Sequence, residues 1–571
     1  MADRPSPSKV ELTKRGSAHL RGTIADELAD AGDSFATDSA QLLKFHGVYQ
    51  QVDRDTATAL KQDGRAKTHR LMVRMKIPGG CLTPEQYLVA DDLAGACADG
   101  SLRITTRQDF QLHGVIKGDL APTVAEINTA LITTFGACGD VVRNVVTTPA
   151  PVADAVHRRL RDDAVRLSNH FLPATRAYHE IWLDGSPLPE SAGAETEPLY
   201  GATYLPRKFK IGLATPDDNS ADVLTNDLAV IAFFDGERLL GYDFALGGGL
   251  GMTHNKPETY PRLATPIAFV EPDDLLTVAE AVVCLQRDHG DRSNRRHARL
   301  KYLVAEKGAE WVKAALERIL GRPLAPPLPL PRLSVPDHLG WHPQGDGKWW
   351  LGVPVASGRI ADRGGVRLRS ALREIVTEHA PGVVLTPDQN ILLAGLPRGA
   401  RRRIEAALGR HGVALREHIS EVERWALACP ALPTCGLALA EAERVRAPLV
   451  TAIEAALARH GLGEERLSVR ITGCPNGCAR PYAGDIGIVG RMPGHYAVYV
   501  GGDFAGTRLS FRLLDKVPLA GVATALEPLF ALFAARRRPG EGFGDVCHRL
   551  GAEALGQAIG GAAGTLVREV A

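Results

Sequence analysis

The sequence lacks any apolar stretch near the ~20 residues that a transmembrane helix needs, and it lacks an excess of either charge. Lys and Arg number 67 against 66 Asp and Glu, a formal net charge of +1. A protein that binds nucleic acid through its overall charge would be clearly basic, so this class is excluded. The N-terminal residues contain no apolar run, and the acids Asp3 and Glu11 are untypical of a transit peptide. We therefore expect a cytoplasmic protein with no nucleic-acid or membrane partner, in which local cation clusters bind any anion.

Cysteine is sparse over most of the chain. Five of the nine cysteines are scattered, and a reducing compartment argues against a disulfide framework. The other four, Cys429, Cys435, Cys474 and Cys478, fall within 50 positions and form the pairs C-x5-C and C-x3-C. This clustering requires a chemical explanation.

Three explanations fit the spacing of these four cysteines. Thiolates hold iron–sulfur clusters, and the nearby prolines and glycines suit turns that direct the sulfurs inward. Structural zinc more often uses C-x2-C or C-x4-C pairs. Four buried thiols without a ligand are the third possibility. The spacing favours the iron–sulfur interpretation and leaves the other two open.

The chain is long enough for roughly three or four domains. Its clearest boundary is GRPLAPPLPLPRL (321–333), whose five prolines favour an extended connector. Hydrophobic periodicity predicts helices at 152–170, 273–287 and 443–459, and strands at 69–77, 101–116, 204–214 and 467–473. Strands mixed with helices indicate an α+β protein.

The two halves of the chain resemble one another. Thr105, Gln108 and Gly114 recur at the same spacing after the connector as Thr386, Gln389 and Gly395, and segment 226–251 resembles segment 484–506. Short matches also arise by chance. A true duplication would give a pseudo-twofold protein with a site between its halves.

The cysteine segments CPALPTC (429–435) and TGCPNGCARP (472–481) resemble the signature of the sirohaem-dependent nitrite and sulfite reductases. Other blocks that resemble this family follow in the family's order: LRGTIADEL (20–28), LLKFHGVYQQVDRD (42–55), RMKIPGG (74–80), TTRQDFQLHG (105–114), RNV (143–145), YLPRKFK (204–210) and GEGFGD (540–545). The resemblance thus extends over nearly the whole chain.

The resemblance implies an α+β fold with two ferredoxin-like half-domains, related by a pseudo-twofold axis, and two larger α/β domains that hold the cofactors. We accordingly predict an N-terminal extension with a possible donor-docking role (1–65), a first half-domain (66–145), a first sirohaem-binding domain (146–320), the linker (321–333), a second half-domain (334–420) and a second α/β domain with the cysteines (421–571).

The resemblance also implies the cofactors. In this family the four cysteines hold a 4Fe–4S cluster, and the last sulfur is also the axial ligand of the sirohaem iron. By position, the cluster ligands here are Cys429, Cys435, Cys474 and Cys478, and Cys478 is the shared ligand.

Four cations match the anion-binding set of the family: Arg74, Arg143, Lys208 and Lys210. We expect them to neutralise sulfite, polarise its S–O bonds and relay protons. In an extended RKFK segment the two lysines share one face and Phe209 lies on the other. Without the resemblance, a solvated strand face would be the better interpretation of such a pair. Sulfite reductases of the family carry both lysines, whereas nitrite reductases commonly have Asn at the second, so Lys210 favours sulfite.

Sirohaem carries eight carboxylates, so its pocket should be rich in cations. The positions that bind the macrocycle in the family are here Arg103, Arg107, Gln111, His113, Arg207 and Asn476, together with Cys478. The basic run RSNRRHARLKY (292–302) is either a further set of carboxylate contacts or an exposed segment.

Two features depart from simple patterns. Asp109 replaces the small or amide residue expected within TTRQDFQLHG, and an acid beside an anionic macrocycle would be repelled, so it either points away or makes a different local contact. GGGLG (247–251) lacks the strand–glycine–helix context of a dinucleotide site. We predict instead that the run after it, MTHNKPETYPRL (252–263), is a loop that closely approaches the flat cofactor.

The predicted function is that of an assimilatory sulfite reductase, which reduces sulfite to sulfide with six electrons. A nitrite reductase of the same family is one alternative, and a zinc-stabilised binding protein is another. No flavin or nicotinamide module is evident, so electrons should come from a separate protein. LRGTIADEL resembles the subunit that partners an NADPH-oxidising flavoprotein, whereas GACGDVVRNV and GCARPY are closer to ferredoxin-dependent relatives, which leaves the donor open.

Overall fold

The computed structural model describes residues 5–175, 182–183, 186–187 and 197–562. Residues 1–4 of the predicted extension, 563–571 of the last predicted domain, and 176–181, 184–185 and 188–196 of the first predicted sirohaem-binding domain lie outside the described residues. The chain begins with three short helices, α1 (Lys9–Arg15), α2 (Ile24–Ala29) and α3 (Thr37–Leu42).

The first half-domain follows these helices. Its elements are β1 (Val48–Val52), α4 (Arg54–Gln62), β2 (His69–Arg74), β3 (Cys81–Leu82), α5 (Pro84–Ala96), β4 (Leu102–Ile104), β5 (Phe110–Val115) and α6 (Leu120–Thr129). Helix α5 begins where the sequence directs it, because Thr83 and Gln86 form a reciprocal capping box and Pro84 occupies the first turn. Strand β1 pairs with β2 although it falls in the range predicted as an extension.

The first larger domain contains α7 (Ala155–His170), β6 (Trp182–Leu183), β7 (Ser186–Pro187), β8 (Ile211–Ala214), β9 (Leu228–Asp235), β10 (Arg238–Leu246), β11 (Thr265–Val270), α8 (Leu275–His289), α9 (Leu300–Lys307) and α10 (Ala309–Leu320). Its main sheet has the order β11-β10-β9-β8, in which only β8 and β9 are parallel. The proline-rich segment 321–333 after α10 contains no regular helix or strand.

The second half-domain contains β12 (Gly340–Pro343), β13 (Trp349–Val353), β14 (Arg359–Ile360), β15 (Asp362–Arg363), β16 (Val366–Arg367), α11 (Leu368–His379), β17 (Gly382–Leu385), β18 (Ile391–Leu396) and α12 (Arg401–Arg410). The second larger domain contains α13 (Glu421–Trp425), β19 (Ala426–Ala428), α14 (Glu443–Ala458), β20 (Val469–Thr472), β21 (Ile486–Met492), β22 (His495–Val500), β23 (Phe511–Pro518), α15 (Val522–Arg536) and α16 (Phe543–Ala562). Its sheet runs β19-β20-β21-β22-β23, and β20 and β21 are parallel, as β8 and β9 are.

The half-domains exchange short strands. The two sheets have the orders β1-β2-β5-β4-β14 and β12-β13-β18-β17-β3, so each ends on a strand from the other half-domain. Their apolar side chains form a single core that includes Leu71 and Leu112 from the first half-domain and Leu351 and Leu393 from the second. The two half-domains are therefore one folding unit.

Two glutamines mark the pseudo-twofold relation. Gln108 and Gln389 both have a positive φ, 54° and 65°. The Gln108 side-chain amide donates to the Leu385 carbonyl at 3.0 Å, and that of Gln389 donates to the Ile104 carbonyl at 3.2 Å. The duplication, and with it the predicted α+β class, is confirmed; the predicted domain boundaries stay predictions.

In contrast to the expectation from the sequence, one segment of the described residues, Leu519–Arg536, is long and apolar enough by length and composition to cross a membrane. It comprises α15 and the turn before it, and Leu526, Leu529 and Phe530 pack into the core of the second larger domain. The buried side chains of this segment are therefore part of the core of that domain.

Candidate active site

The four clustered cysteines follow two parallel neighbouring strands. Cys429 comes directly after β19, and Cys474 and Cys478 lie in the turn after β20. Because parallel strands end at the same edge of a sheet, the two turns meet there, and the Gly473 amide lies 3.4 Å from the Cys429 sulfur. We call residues 474–478 the cysteine turn.

The four thiols influence one another. Burial raises the pKa of Cys429 and Cys435 and raises that of Cys474 to about 12, and the charge of Cys478 adds to each increase. Such a group of thiols favours thiolates only when a cationic centre joins them. Among the residues that the structure describes, no three His, Cys, Asp or Glu side chains are arranged around a single metal-ion position.

Cys478 is the exposed member of the set, whereas Cys429 and Cys474 are buried. Gly477 has a φ of 65°, a conformation that suits glycine, and a Cβ there would lie 3.0 Å from the Tyr482 ring. The Thr106 hydroxyl donates to the Cys478 carbonyl at 3.0 Å. The first half-domain thus contacts the cysteine turn beside its accessible sulfur.

Lys208 and Lys210 lie just before β8. The predicted strand over 204–214 is regular only at Ile211–Ala214. Before it, the Phe209 amide donates to the Val141 carbonyl at 3.0 Å in an isolated parallel bridge. Phe209 is buried and both lysines are partly exposed, so the predicted alternation of faces is present. Burial lowers the pKa of Lys208, and Lys210 lowers it further; burial and Arg107 lower the pKa of Lys210 to about 7.

The two predicted arginines of the anion-binding set come from other segments of the chain, Arg74 from the end of β2 and Arg143 from a segment without regular structure. Burial alone would lower the pKa of Arg74, but Cys138 and Asp109 outweigh it and raise the pKa. Arg143 donates from Nε to the Gly139 carbonyl at 3.0 Å and lowers the pKa of Lys208. The four predicted cations therefore share one electrostatic environment.

Asp109 makes a local contact rather than pointing away. It is fully buried, accepts a hydrogen bond from the Thr105 hydroxyl at 2.7 Å, and lies 3.7 Å from Nε of Arg74. Burial raises the pKa of Asp109, and the Arg74 guanidinium opposes that shift. The Asp109 carboxyl group is thus held between the Thr105 hydroxyl and the Arg74 guanidinium.

Two predicted macrocycle contacts have protein partners. Arg103 is buried, forms an ion pair with Glu443, and donates to the Ala428 carbonyl at 2.8 Å. Arg107 donates to the Asn226 side chain at 2.8 Å and to the Ile211 carbonyl at 3.0 Å. Burial lowers their pKa values to about 10 and about 9. Both arginines hold backbone next to the site.

The other predicted macrocycle contacts differ in how deeply they are buried and in how closely protein groups hold them. Gln111 and His113 are buried beside each other, with Nε2 of His113 3.4 Å from Oε1 of Gln111. Arg207 is partly exposed and lies 3.7 Å from Asp140. The Asn476 side-chain amide lies 3.6 Å from the Cys474 sulfur. Arg207 therefore retains the most freedom to meet a carboxylate.

The sequence did not single out several neighbours of these cations. Burial lowers the pKa of Lys44. Burial would also lower the pKa of Arg143, but Tyr49 and Cys138 outweigh it and raise that pKa. The signal for Lys44 and Tyr49 was available, because both lie in the block LLKFHGVYQQVDRD. Thr106 likewise lies within TTRQDFQLHG.

Three arginines of the basic run 292–302 form ion pairs with acidic side chains of this chain. Arg292 pairs with Glu11 at 2.5 Å, Arg295 with Asp140 at 2.8 Å, and Arg299 with Asp227 at 2.6 Å. These arginines are therefore held by acids of this chain, which differs from both interpretations of the run.

The comparisons with known proteins agree with these features. The profile described as the nitrite and sulphite reductase 4Fe-4S domain matches residues 163–324, and that of the nitrite/sulfite reductase ferredoxin-like half domain matches 63–130 and 342–411. Neither match includes the four cysteines.

Full-length relatives extend the likeness to the cysteine segments. The chain is 48% identical to the sulfite reductase (NADPH) hemoprotein beta-component of Myxococcus xanthus, over 96% of this chain and 98% of that one. It is 44% identical to the sulfite reductase (ferredoxin) of Synechococcus elongatus, over 96% and 90%. The structure of the Mycobacterium tuberculosis NirA protein matches with a TM-score of 0.77 at 23% identity, over 96% of this chain and 98% of that one, and shows the same fold.

Proposed function

This chain belongs to the nitrite and sulfite reductase family, and we propose that it catalyses the six-electron reduction of sulfite to sulfide in sulfur assimilation. The observation that carries the proposal is the electrostatic influence that the predicted cations Arg74, Arg143, Lys208 and Lys210 exert on one another, together with the influence of Cys478 on two of them. The charge of Cys478 opposes the lowering of the Lys210 pKa by burial, and it adds to the increase that Cys138 and Asp109 cause in the pKa of Arg74. The proposed cofactor ligand Cys478 and the proposed anion-binding cations therefore share one electrostatic environment.

The residues present fit the cofactors of the family, a sirohaem and a 4Fe–4S cluster. Cys429, Cys435, Cys474 and Cys478 would hold the cluster, with Cys478 shared with the sirohaem iron. Nε of Arg74, Nε of Arg107 and Nδ1 of His113 are buried without a hydrogen-bond partner among the described residues. Such groups are costly unless a ligand satisfies them, and the carboxylates of sirohaem are suitable acceptors. When bound, the two groups would relay electrons from the donor protein and would supply the metal centre for the reduction.

The chain's own residues handle the anion and its protons. The two lysines and two arginines neutralise the sulfite dianion and orient its oxygens. Ammonium groups with lowered pKa values can donate protons near neutral pH to the oxygens that leave as water. Asp109 orients the Arg74 guanidinium through the attraction between its carboxylate and Nε of Arg74, 3.7 Å away.

Lys210 supports sulfite over nitrite as the main substrate, because nitrite reductases of the family commonly carry Asn at this position. Each of the two enzymes compared above is named a sulfite reductase. Nitrite reduction remains the alternative activity. We further propose a cytoplasmic location.

The electron donor is a separate protein, either an NADPH-oxidising flavoprotein subunit or a ferredoxin. One relative is named for each kind of donor, and their identities to this chain are similar. Mixing the purified chain with reduced ferredoxin, or with NADPH and the flavoprotein, distinguishes the two.

Absorption spectra, metal analysis and steady-state rates test the proposal. We expect a chlorin-type red band, iron with acid-labile sulfide, and a higher kcat/KM for sulfite than for nitrite. A colourless zinc protein would refute the cofactor assignment, and a strong preference for nitrite would refute the substrate.

A further inference from the structure

Two buried cations lie at the amino end of helix α9, where positive charge is unfavourable. Arg299 is the N-cap residue of α9 and Lys301 follows two positions later, and both are buried. The amino end of a helix carries partial positive charge, so cations there are unfavourable, and burial adds a desolvation cost. The Arg299 side chain makes no capping hydrogen bond, since a guanidinium has no acceptor for a helix N–H. Both residues therefore need another role.

Lys301 is surrounded by carbonyl groups of one loop. Its Nζ donates to the Gly251 carbonyl at 2.9 Å, to the Gly249 carbonyl at 3.1 Å, and to the Tyr260 carbonyl. Burial, with Arg299, lowers its pKa to about 7. One ammonium group thus ties together residues 249–260, which we call the glycine loop and which begins within the GGGLG segment.

The glycine loop contacts the cysteine turn directly. The Met252 amide donates to the Pro475 carbonyl at 2.9 Å, and the same carbonyl accepts from the Tyr482 hydroxyl at 3.0 Å. A Cβ on Gly251 would lie 3.4 Å from the Asn476 carbonyl oxygen. The position of the loop therefore bears on the position of the turn.

Arg299 reaches Lys210 through one carboxylate. Its Nε and Nη2 donate to the two oxygens of Asp227 at 3.0 and 2.6 Å. Asp227, which is fully buried, accepts from the Lys210 amide at 2.9 Å. Arg299 also donates to the Gly248 carbonyl at 3.3 Å, and a Cβ on Gly249 would lie 2.7 Å from its Nη2. The same helix end thus holds the lysine segment and the glycine loop.

We propose that Lys301 and Arg299 are positioning residues that set the spacing between Lys210 and the cysteine turn, Lys301 through the glycine loop and Arg299 through Asp227. The first larger domain supplies the lysine and the second supplies the turn, so a rigid connection between them fixes the active-site geometry. The inference rests on the proposed function, because the spacing matters only if sulfite binds between these two parts.

Hydrogen–deuterium exchange of the cofactor-loaded protein tests this connection without using activity. In Lys301→Met the loop carbonyls lose their donor, and we expect faster exchange both in peptides of the glycine loop and in peptides covering 474–482. Arg296→Met is the matched control, because Arg296 is an exposed cation of the same basic run; its exchange should equal that of the wild type. Faster exchange in the glycine loop alone would overturn the proposal.

Steady-state kinetics with a chemical reductant separate the two routes. Misplacement of catalytic groups by a fraction of an ångström costs on the order of tenfold or more. Lys301→Met should therefore lower kcat with little change in KM for sulfite, and it should alter the EPR spectrum of the reduced cluster. Arg299→Leu should mainly raise KM, because it loosens Lys210.

A variant that fails to fold does not end the test. Lys301→Arg keeps the cation, and we expect it to restore wild-type exchange in 474–482 at least in part. Normal kcat, KM, EPR spectrum and exchange in all Lys301 and Arg299 variants would contradict the proposal. A wild type that bound its cofactors but did not reduce sulfite would refute the proposed function, while the exchange experiment would still report on the connection.

Discussion

At the scale of single residues, the account depends most on Lys210. Its backbone is fixed by Asp227 and its side chain is partly exposed among other cations. Lys210→Met removes the charge and keeps most of the side-chain volume. We expect sulfite turnover to fall on the order of a hundredfold, as for other removed transition-state donors, while iron content stays near that of the wild type.

A surface lysine provides the control for this variant. Lys348→Met removes an exposed ammonium in the second half-domain and should leave turnover unchanged. Full activity of Lys210→Met, or an equal loss in both variants, would show that Lys210 is not part of the anion-binding set.

The family blocks predict which cysteines and cations form the site, because they mark positions in the sequence. They do not predict the partners of these residues. Glu443, which pairs with Arg103, lies 340 positions away in the sequence, and no local pattern indicates such a pair. Asp109 shows the same limit, since the sequence identified it as unusual but not that it lies beside Arg74.

At the scale of elements, one buried ion pair joins the first larger domain to the second half-domain. His338, just before β12, lies 2.8 Å from Asp218, which follows β8. Burial lowers the pKa of His338, but Asp218 outweighs burial and leaves it above 6.5. Burial raises the pKa of Asp218, but His338 outweighs it and leaves the pKa below 3.8.

The sign of the pH dependence follows from these two shifts. The His338 contribution is complete below pH 6.5 and is lost as the pH rises through its raised pKa, whereas the Asp218 contribution is lost in acid. His338→Gln should therefore lower the thermal midpoint more at about pH 6 than at about pH 9. The exposed His418→Gln is the control, and an equal effect of His338→Gln at both pH values would contradict this assignment.

Element prediction succeeded where periodicity was long and failed where contacts decided the structure. The three predicted helices became α7, α8 and α14. The predicted strand 101–116 is instead the hairpin of β4 and β5, because Gln108 turns the chain with a positive φ. Strands β3 and β14 have two residues each, too few to carry a periodic signal, so the strand exchange could not be predicted.

At the scale of the whole molecule, the shared core predicts that the two half-domains unfold together. Gln389 donates to the carbonyls of Ile104 and Ser357, one from each half-domain. Gln389→Ala keeps the same backbone requirement but leaves both buried carbonyls without this donor, at a cost of about 1–3 kcal/mol. The exposed Gln557→Ala serves as the control.

Exchange measured across both half-domains checks this expectation. Gln389→Ala should lower the thermal midpoint and accelerate exchange in β4 and β17 alike. An effect confined to the second half-domain would show that the two halves fold independently.

The pseudo-twofold architecture explains why the active site needs residues from distant parts of the chain. Arg74 comes from the first half-domain, Lys210 from the first larger domain, and Cys478 from the second. The duplication was visible in the sequence as repeated spacings, whereas the way the repeats pack against each other follows from buried contacts.

The most direct test of the account is the number of electrons consumed for each sulfide formed. The purified protein would be supplied with reduced methyl viologen and limiting sulfite, and viologen oxidation and sulfide would be measured together. The account predicts six electrons per sulfide with no released intermediate. Absence of sulfide, or consumption of only two or four electrons per sulfite, would contradict it.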